Sequence, residues 1–178
     1  MKNQIINWTR TLVIATLVLT GSFANAAVGD FELSVRNLTQ PAPNRLEFDV
    51  YLLDTDPGQT FELAGCQLAF LINSLIYNGG ILSVTINNTG TGLNLLQQFT
   101  TVPDAVSPLT GYPDQTLIRL AAGSPVSAGS GTVISTVSPG TLLTHFIITS
   151  TVNFAANSTP NITFTANTVT VPLYPTRV

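Results

Sequence analysis

The stretch "RLEFDVYLLDTDPGQTFELAGCQLAFLIN", residues 45–73, contains the pattern that decides the fold. In its first half every second residue is apolar, namely Leu46, Phe48, Val50 and Leu52. Side chains alternate along a strand, so the opposite face carries the residues between them, Glu47, Asp49 and Tyr51. The second half repeats the alternation at Ala64, Cys66, Leu68, Phe70 and Ile72. Both halves are therefore predicted to form half-buried β-strands.

Similar short runs follow along the rest of the chain, and turn-forming residues separate them. The other predicted strands are residues 31–35, 82–86, 117–121, 133–137, 142–149, 162–165 and 169–173. Stretches rich in Gly, Pro and Asn, such as "NGG" and "SPLTGYPD", punctuate them. Helical turns are predicted only at residues 93–99 and 74–77. About nine short strands predict an all-β fold, built as an antiparallel two-sheet sandwich.

The first 26 residues have the three-part form of a secretory signal peptide. Lys2 and Arg10 flank the start, an apolar run occupies residues 12–19, and Ala24-Asn25-Ala26 offers a cleavage site. The apolar run is shorter than the roughly 20 residues that span a bilayer. We therefore expect cleavage after Ala26, a soluble secreted product, and a single domain at residues 27–178.

The charge of the mature chain limits its partners. Lys2 is the only lysine, which leaves four arginines against nine carboxylates, a net charge of −5. Nucleic acid is excluded, because phosphate binding needs a basic surface. Anionic membranes are disfavoured for the same reason. Only 8% of the residues are charged, far below the usual share, so the surface suits neutral partners such as glycans or other β-proteins.

Three acids gather around a Pro57-Gly58 turn and resemble the start of a calcium loop: Asp54, Asp56 and Glu62. Gly58 falls at the fifth loop position, however, where that motif has its glycine at the sixth, and no Glu occupies the twelfth. We interpret the stretch as a bend between two strands, in which the Asp56 side chain caps the turn. No metal and no cofactor is expected.

An enzyme is not expected either, because no residues combine an acid, a base and a nucleophile. Glu47 and Asp49 would lie roughly 7 Å apart on one strand face. That separation overlaps the spacing of an inverting glycosidase pair. Without a cleft that would raise a pKa, the two acids are interpreted as a solvated face.

The only histidine and the only cysteine both favour structural roles. Alternation places His145 on one face with Leu143 and Ile147, and we expect it to lack the cysteine or carboxylate neighbours that a zinc site requires. Cys66 lies on a predicted buried face with no base or cation adjacent. Its thiol is therefore predicted to be buried and unreactive.

The quoted stretch, together with "NGGILSVTIN", "TLIRLAAGSPVSAGSGTVIST" and "PGTLLTHFIITS", resembles the cohesin-like modules of secreted Bacteroidetes-type surface proteins. The resemblance covers nearly all of the mature chain. It implies a nine-stranded jelly-roll sandwich of the carbohydrate-binding-domain-like group. It also implies one of two activities at the bacterial cell surface, either binding a dockerin-type protein or binding polysaccharide.

Three functions remain open at this point. The leading one is a secreted, non-catalytic module that binds a protein through strand edges and a neutral polar sheet face. The second is a carbohydrate-binding module that would use the outward Tyr51 and the loop residue Tyr112, because aromatic rings stack on sugars. The third is a subunit of an extracellular fibre, in which an edge strand or residues 169–178 pair with the next copy.

Overall fold

A computed structural model describes residues 30–99, 103–106 and 112–165. The predicted signal peptide and the predicted strand 169–173 lie outside the described residues. The described strands, all paired antiparallel, are β1 (Phe31–Ala42), β2 (Arg45–Asp54), β3 (Glu62–Leu63), β4 (Gln67–Asn73), β5 (Leu82–Asn87), β6 (Asp104–Val106), β7 (Gln115–Ala121), β8 (Thr132–Val133), β9 (Thr141–Ser150) and β10 (Thr163–Phe164). Two 3₁₀ helices, Ser74–Tyr77 and Leu95–Gln97, lie within the predicted helical turns. The all-β, antiparallel prediction is confirmed.

Two four-stranded sheets form the body of the described chain. The first has the strand order β1-β2-β9-β5 and the second has β10-β4-β7-β6, while β3 and β8 form a separate two-stranded sheet. Residues 45–73 supply a central strand to each large sheet, β2 to the first and β4 to the second. Neither 3₁₀ helix in the described ranges is long and apolar enough to cross a membrane.

Phenylalanine side chains join the two large sheets at the centre of the core. Phe48 of β2 and Phe146 of β9 stack with ring centroids 5.0 Å apart. Phe70 of β4 meets those two rings edge-on, at 5.6 and 5.0 Å respectively. All three rings are fully buried, and such ring pairs add about 0.5–1.5 kcal/mol each to the gain from burial. The two sheets therefore pack face to face in a sandwich-like arrangement.

A β-bulge in β9 changes the side-chain faces that strict alternation predicts. The register between β2 and β9 shifts after Val50, which leaves Leu143 as an extra residue. Leu143 turns into the core, whereas Leu142 is only partly buried. The prediction that Leu143 shares a face with His145 is therefore wrong, because one inserted residue reverses the alternation on one side of the bulge.

Two strand predictions also fail near strand ends. Ala64 is exposed, although alternation predicts burial, because β3 ends one residue before it. The predicted strand 133–137 is shortened to β8, Thr132–Val133. Beyond the end of β8, the Ser135 side chain bonds to nearby backbone. Its Oγ accepts from the Val137 N–H and donates to the Val137 carbonyl. Such side-chain bonds to nearby backbone compete with sheet pairing.

Candidate functional site

The three acids of the Pro-Gly bend each accept a hydrogen bond from a different backbone N–H. Asp54 Oδ1 accepts from Asp56 at 2.9 Å, and Asp56 Oδ1 accepts from Gly58 at 3.0 Å. The Glu62 carboxylate accepts from the N–H of Gly131, which lies just before β8. In the described ranges no group of three or more His, Cys, Asp or Glu side chains is arranged to hold a metal ion. The bend with its Asp56 cap is confirmed.

Strand pairing assembles a charged cluster on the outer face of the first sheet. His145 Nδ1 lies 2.7 Å from Asp49 Oδ1, and its Nε2 lies 3.5 Å from Glu47 Oε2. Glu47 also accepts from Arg45 at 2.5 Å, and Asp49 accepts from the Asn37 amide at 2.6 Å. The expectation that His145 lacks carboxylate neighbours is wrong. Asp49 lies 96 residues away in the chain and reaches His145 only through the pairing of β2 with β9.

The charged cluster links three neighbouring strands of the first sheet. Asn37 belongs to β1, Arg45, Glu47 and Asp49 belong to β2, and His145 belongs to β9. Arg45 is 43% exposed, whereas the side chains of Glu47, Asp49 and His145 are only 15–25% exposed. These contacts join the side chains to one another and make this part of the outer face polar.

The two tyrosines predicted to bind a ligand lie on opposite faces of the sandwich. Tyr51 points outward from β2, as alternation predicts, and is partly buried. Tyr112 packs beside Leu71 against a small second cluster formed by Ala69 and Leu117. That cluster lies on the outer face of the second sheet, because the alternate residues of β4 and β7 fill the core. One flat glycan surface cannot use both tyrosines.

Tyr112 instead lines a cleft of about 330 Å³ where the end of β4 meets the start of β7. The other lining residues are Leu71, Asn73, Asp114, Gln115, Asn161 and Thr163. The Oε1 atom of Gln115 is buried and has no hydrogen-bond partner within the described part of the chain. A polar acceptor without a partner is rare in a folded interior.

A 3₁₀ turn beyond the opposite end of β7 exposes two adjacent leucines. Leu95 is 79% exposed and Leu96 is 59% exposed. Leu93 before them and Phe99 after them are buried in the core, and Phe99 bridges to Ala122 beside β7. The residues before and after the turn are thus packed in the core, while the tip of the turn is exposed to solvent.

Gln97 anchors this turn to the strands β3 and β8. Its fully buried side chain donates through Nε2 to the Leu63 carbonyl at 2.5 Å. Its Oε1 accepts from the Thr132 N–H at 2.6 Å and from the Thr132 hydroxyl at 2.9 Å. The Asn94 N–H donates to the same hydroxyl at 2.8 Å. Sequence reasoning missed this exposed pair, because the letters "LNLLQQF" predict a turn without showing which side faces water.

Cys66 is a free, buried thiol, as the sequence predicts. Burial raises the pKa of this thiol from 9.0 to about 12. Since the thiolate is the nucleophilic form, the thiol stays protonated and unreactive at neutral pH.

Comparison with known proteins yields no relative, since no family model, no curated protein and no solved structure matches this chain. Its function must therefore be inferred from the geometry of the described residues.

Proposed function

We propose that the chain is a secreted, non-catalytic module that binds a protein partner at the bacterial cell surface. We also propose that its sandwich has the jelly-roll topology of cohesin-like modules, with which the two antiparallel four-stranded sheets are compatible. The observation that carries the binding proposal is the exposed Leu95–Leu96 pair at the tip of an anchored turn. Exposed apolar groups that cluster on an ordered surface are typical of protein interfaces.

Burial of the two leucines against a partner supplies a favourable free energy. Full burial of one leucine side chain is worth about 1.5–3 kcal/mol, and Leu95 and Leu96 are both more than half exposed. Association also costs the freedom of any loop that must become ordered. The hydrogen bonds of Gln97 and the burial of Phe99 already order the turn in the unbound chain. Binding therefore requires little further ordering of this turn.

The chemistry of the turn indicates the kind of partner. Residues 93–99 contain no charged side chain, so we expect a partner that offers an apolar pocket with a neutral polar rim. Binding through this turn is expected to change little with salt, because screening acts on charges.

The test places a photo-crosslinking amino acid at position 96 and exposes the secreted chain to the extracellular proteins of its own organism. A crosslinked partner is then purified and titrated against the unlabelled chain. We expect Leu96→Ser to weaken binding by about 1–2 kcal/mol, roughly 5- to 30-fold, because it removes most of the apolar surface of that side chain.

A matched control lies in the other 3₁₀ helix. Leu75 is 60% exposed, close to the 59% of Leu96, and it follows β4 at the far end of the second sheet. Leu75→Ser changes the same residue type in the same kind of local structure, so it should leave the affinity unchanged. Equal losses in Leu75→Ser and Leu96→Ser, or no loss in either, would contradict the proposed interface.

The fibre alternative is favoured by one feature of the first sheet. Strand β1 lies at the edge of this sheet in the part of the chain that the structure describes, and residues 31–36 are its regular part, because two register shifts interrupt the rest of the strand. Regular edge segments can pair with strands of other copies. Sedimentation velocity of the mature chain across a hundredfold concentration range tests this alternative, since fibre growth requires species that increase in size with concentration.

A further inference from the structure

A pocket of about 410 Å³ lies between the Pro-Gly bend and the end of β8. Its lining comes from residues 57–60 of the bend and from residues 133–136. Asp54, the last residue of β2, completes the lining. The volume falls within the range of ligand pockets, which is about 300–1,000 Å³.

The Asp54 side chain is nearly buried, yet one of its oxygens is accessible and unpaired. The residue is only 2% exposed, and its Oδ1 atom accepts a hydrogen bond from the Asp56 N–H at 2.9 Å. Its Oδ2 atom accepts no hydrogen bond from the described residues, but it is not enclosed. The polar side-chain atoms that lack both a partner and access to solvent in those ranges are Tyr77 OH, Gln115 Oε1 and Thr116 Oγ1. Asp54 Oδ2 therefore reaches solvent, and the pocket that Asp54 lines provides the opening.

No positive charge balances this carboxylate in the part of the chain that the structure describes. The pocket lining includes no lysine, arginine or histidine, and none of the ion pairs in the described ranges includes Asp54. Asp56, two residues away, adds a second negative charge nearby. A carboxylate that loses most of its water without gaining a counter-charge is unfavourable in the free protein. A cation that enters the pocket would supply that counter-charge.

The oxygen atoms of the pocket favour one kind of cation. A hard metal ion such as calcium takes about six to eight oxygen ligands, and no group of three or more His, Cys, Asp or Glu in the described ranges is arranged to hold one. A guanidinium binds best to two free carboxylate oxygens, whereas Asp54 Oδ1 already accepts a backbone N–H. An ammonium donates three separate hydrogen bonds. The lining offers it Asp54 Oδ2 together with the hydroxyl-bearing residues Thr60 and Thr136.

The apolar part of the lining fits the chain that would carry the ammonium. Ile134 is buried, whereas Val133 is 61% exposed and Pro57 is exposed as well. Apolar surface therefore extends from the covered part of the pocket to its solvent side. The methylene groups of a lysine side chain can lie along such a surface while the charged end bonds to a polar group.

We infer that this pocket binds a primary ammonium group on an unbranched methylene chain, as at the end of a lysine side chain, with Asp54 as its counter-charge. The site goes beyond the proposed interface, because residues 93–99 contain no charged side chain that could select a cation. It also does not depend on that interface, since neither Leu95 nor Leu96 lines the pocket.

Titration followed by ¹⁵N chemical shifts tests the inference with Nα-acetyl-lysine N-methylamide, in which the ε-ammonium is the only charge. We expect saturable shifts at the amides of Thr60, Ile134 and Thr136, and weaker binding at high salt, because screening acts on charges. The Nε-acetylated probe keeps the methylene chain without the charge and should bind about tenfold more weakly or worse, and so should Nα-acetyl-arginine N-methylamide. Cadaverine separates two sources of the group. Tighter binding of the lysine probe assigns the site to a protein lysine, and tighter binding of cadaverine assigns it to a free diamine.

A matched pair of variants tests the role of the carboxylate. Asp54→Asn keeps the size of the side chain and an acceptor for the Asp56 N–H, while it removes the charge. It should weaken binding of the lysine probe about tenfold or more. Asp56→Asn removes the same charge from an acid that does not line the pocket, and it should weaken binding less than about threefold. If Asp54→Asn fails to fold, Thr136→Val removes one hydroxyl at an exposed position and should weaken binding about threefold at an unchanged Tm.

Four results would each overturn the inference. They are equal binding of the lysine probe and its Nε-acetylated form, equal losses in Asp54→Asn and Asp56→Asn, displacement of the probe by an equal concentration of calcium chloride, and no saturable shift with any amine at millimolar concentration. None of these results bears on the Leu96 interface, which is measured with the crosslinked partner.

Discussion

Replacement of Gln97 by leucine should destabilise the protein strongly, because it leaves two buried backbone groups without partners. The side chain of Gln97 is fully buried and satisfies two backbone groups, the Leu63 carbonyl and the Thr132 N–H. Leucine has a similar size and no polar atoms. Gln97→Leu therefore removes both bonds without opening a large cavity.

The expected magnitude follows from the groups that lose their partners. A buried backbone donor or acceptor left without a bond costs about 1–3 kcal/mol. Two such groups give a loss of about 2–6 kcal/mol, which is a large share of the roughly 5–15 kcal/mol that stabilises a typical domain. The Thr132 hydroxyl also loses its acceptor, but it can rotate toward another partner.

Equilibrium urea unfolding, followed by far-ultraviolet circular dichroism, measures the loss. For an m-value of about 1–3 kcal/mol/M, the unfolding midpoint of Gln97→Leu should fall by about 0.7 M or more. Gln98→Leu is the adjacent control: Gln98 is only partly buried, and its side-chain bond to Thr91 is long, at 3.4 Å. That control should change stability by less than about 0.5 kcal/mol. Similar unfolding midpoints for the two variants would refute the anchoring role of Gln97.

Three further changes test the core, the thiol and one turn. Phe70→Ala should cost about 3–5 kcal/mol in urea unfolding, because it removes the ring that joins both sheets; a loss below about 2 kcal/mol would contradict this packing. Cys66 should not react with a thiol reagent at pH 8 until the chain unfolds. Its pKa rises from 9.0 to about 12 on folding, so the thiol contributes stability that is complete below pH 9 and is lost as the pH rises toward 12. That alkaline loss should be smaller in Cys66→Ala, and equal losses would refute the assignment. Gly140→Ala should destabilise the protein strongly in thermal melts, since φ is 101° there and a Cβ would lie 2.3 Å from the Leu52 carbonyl oxygen. Gly90→Ala, at φ 77° with open space around it, should cost only about 1 kcal/mol, and equal effects would show that the contact with Leu52 does not matter.

Much of the fold could be predicted from the sequence, because strand faces depend on local geometry. The buried and outward residues of β2 follow the period of two along its whole length. The Asp56 cap could also be predicted, since an Asp side chain bonds backbone only two residues away. The same reasoning failed at Leu143, because a bulge depends on the register with another strand and not on the residues around it.

The candidate sites were much harder to predict. Tyr112 was identified from its ring and its loop, yet its pairing with Gln115 in a cleft, and its separation from Tyr51, required the positions of both sheets. Nothing in the sequence distinguishes Leu95 and Leu96 from core leucines. Their exposure follows from neighbours that are buried and from a glutamine whose partners lie 34 and 35 residues away.

The sequence by itself determined that this protein is built of antiparallel strands with one apolar face each, because alternation of side chains is a property of the extended backbone alone. The tertiary structure decided which polar groups meet. It placed His145 between Glu47 and Asp49, buried the Gln115 Oε1 atom without a partner among the described residues, and left Leu96 exposed to solvent. The physical reason is that hydrogen bonds and burial act over a few ångströms in space, while the residues that share them lie tens of positions apart in the chain.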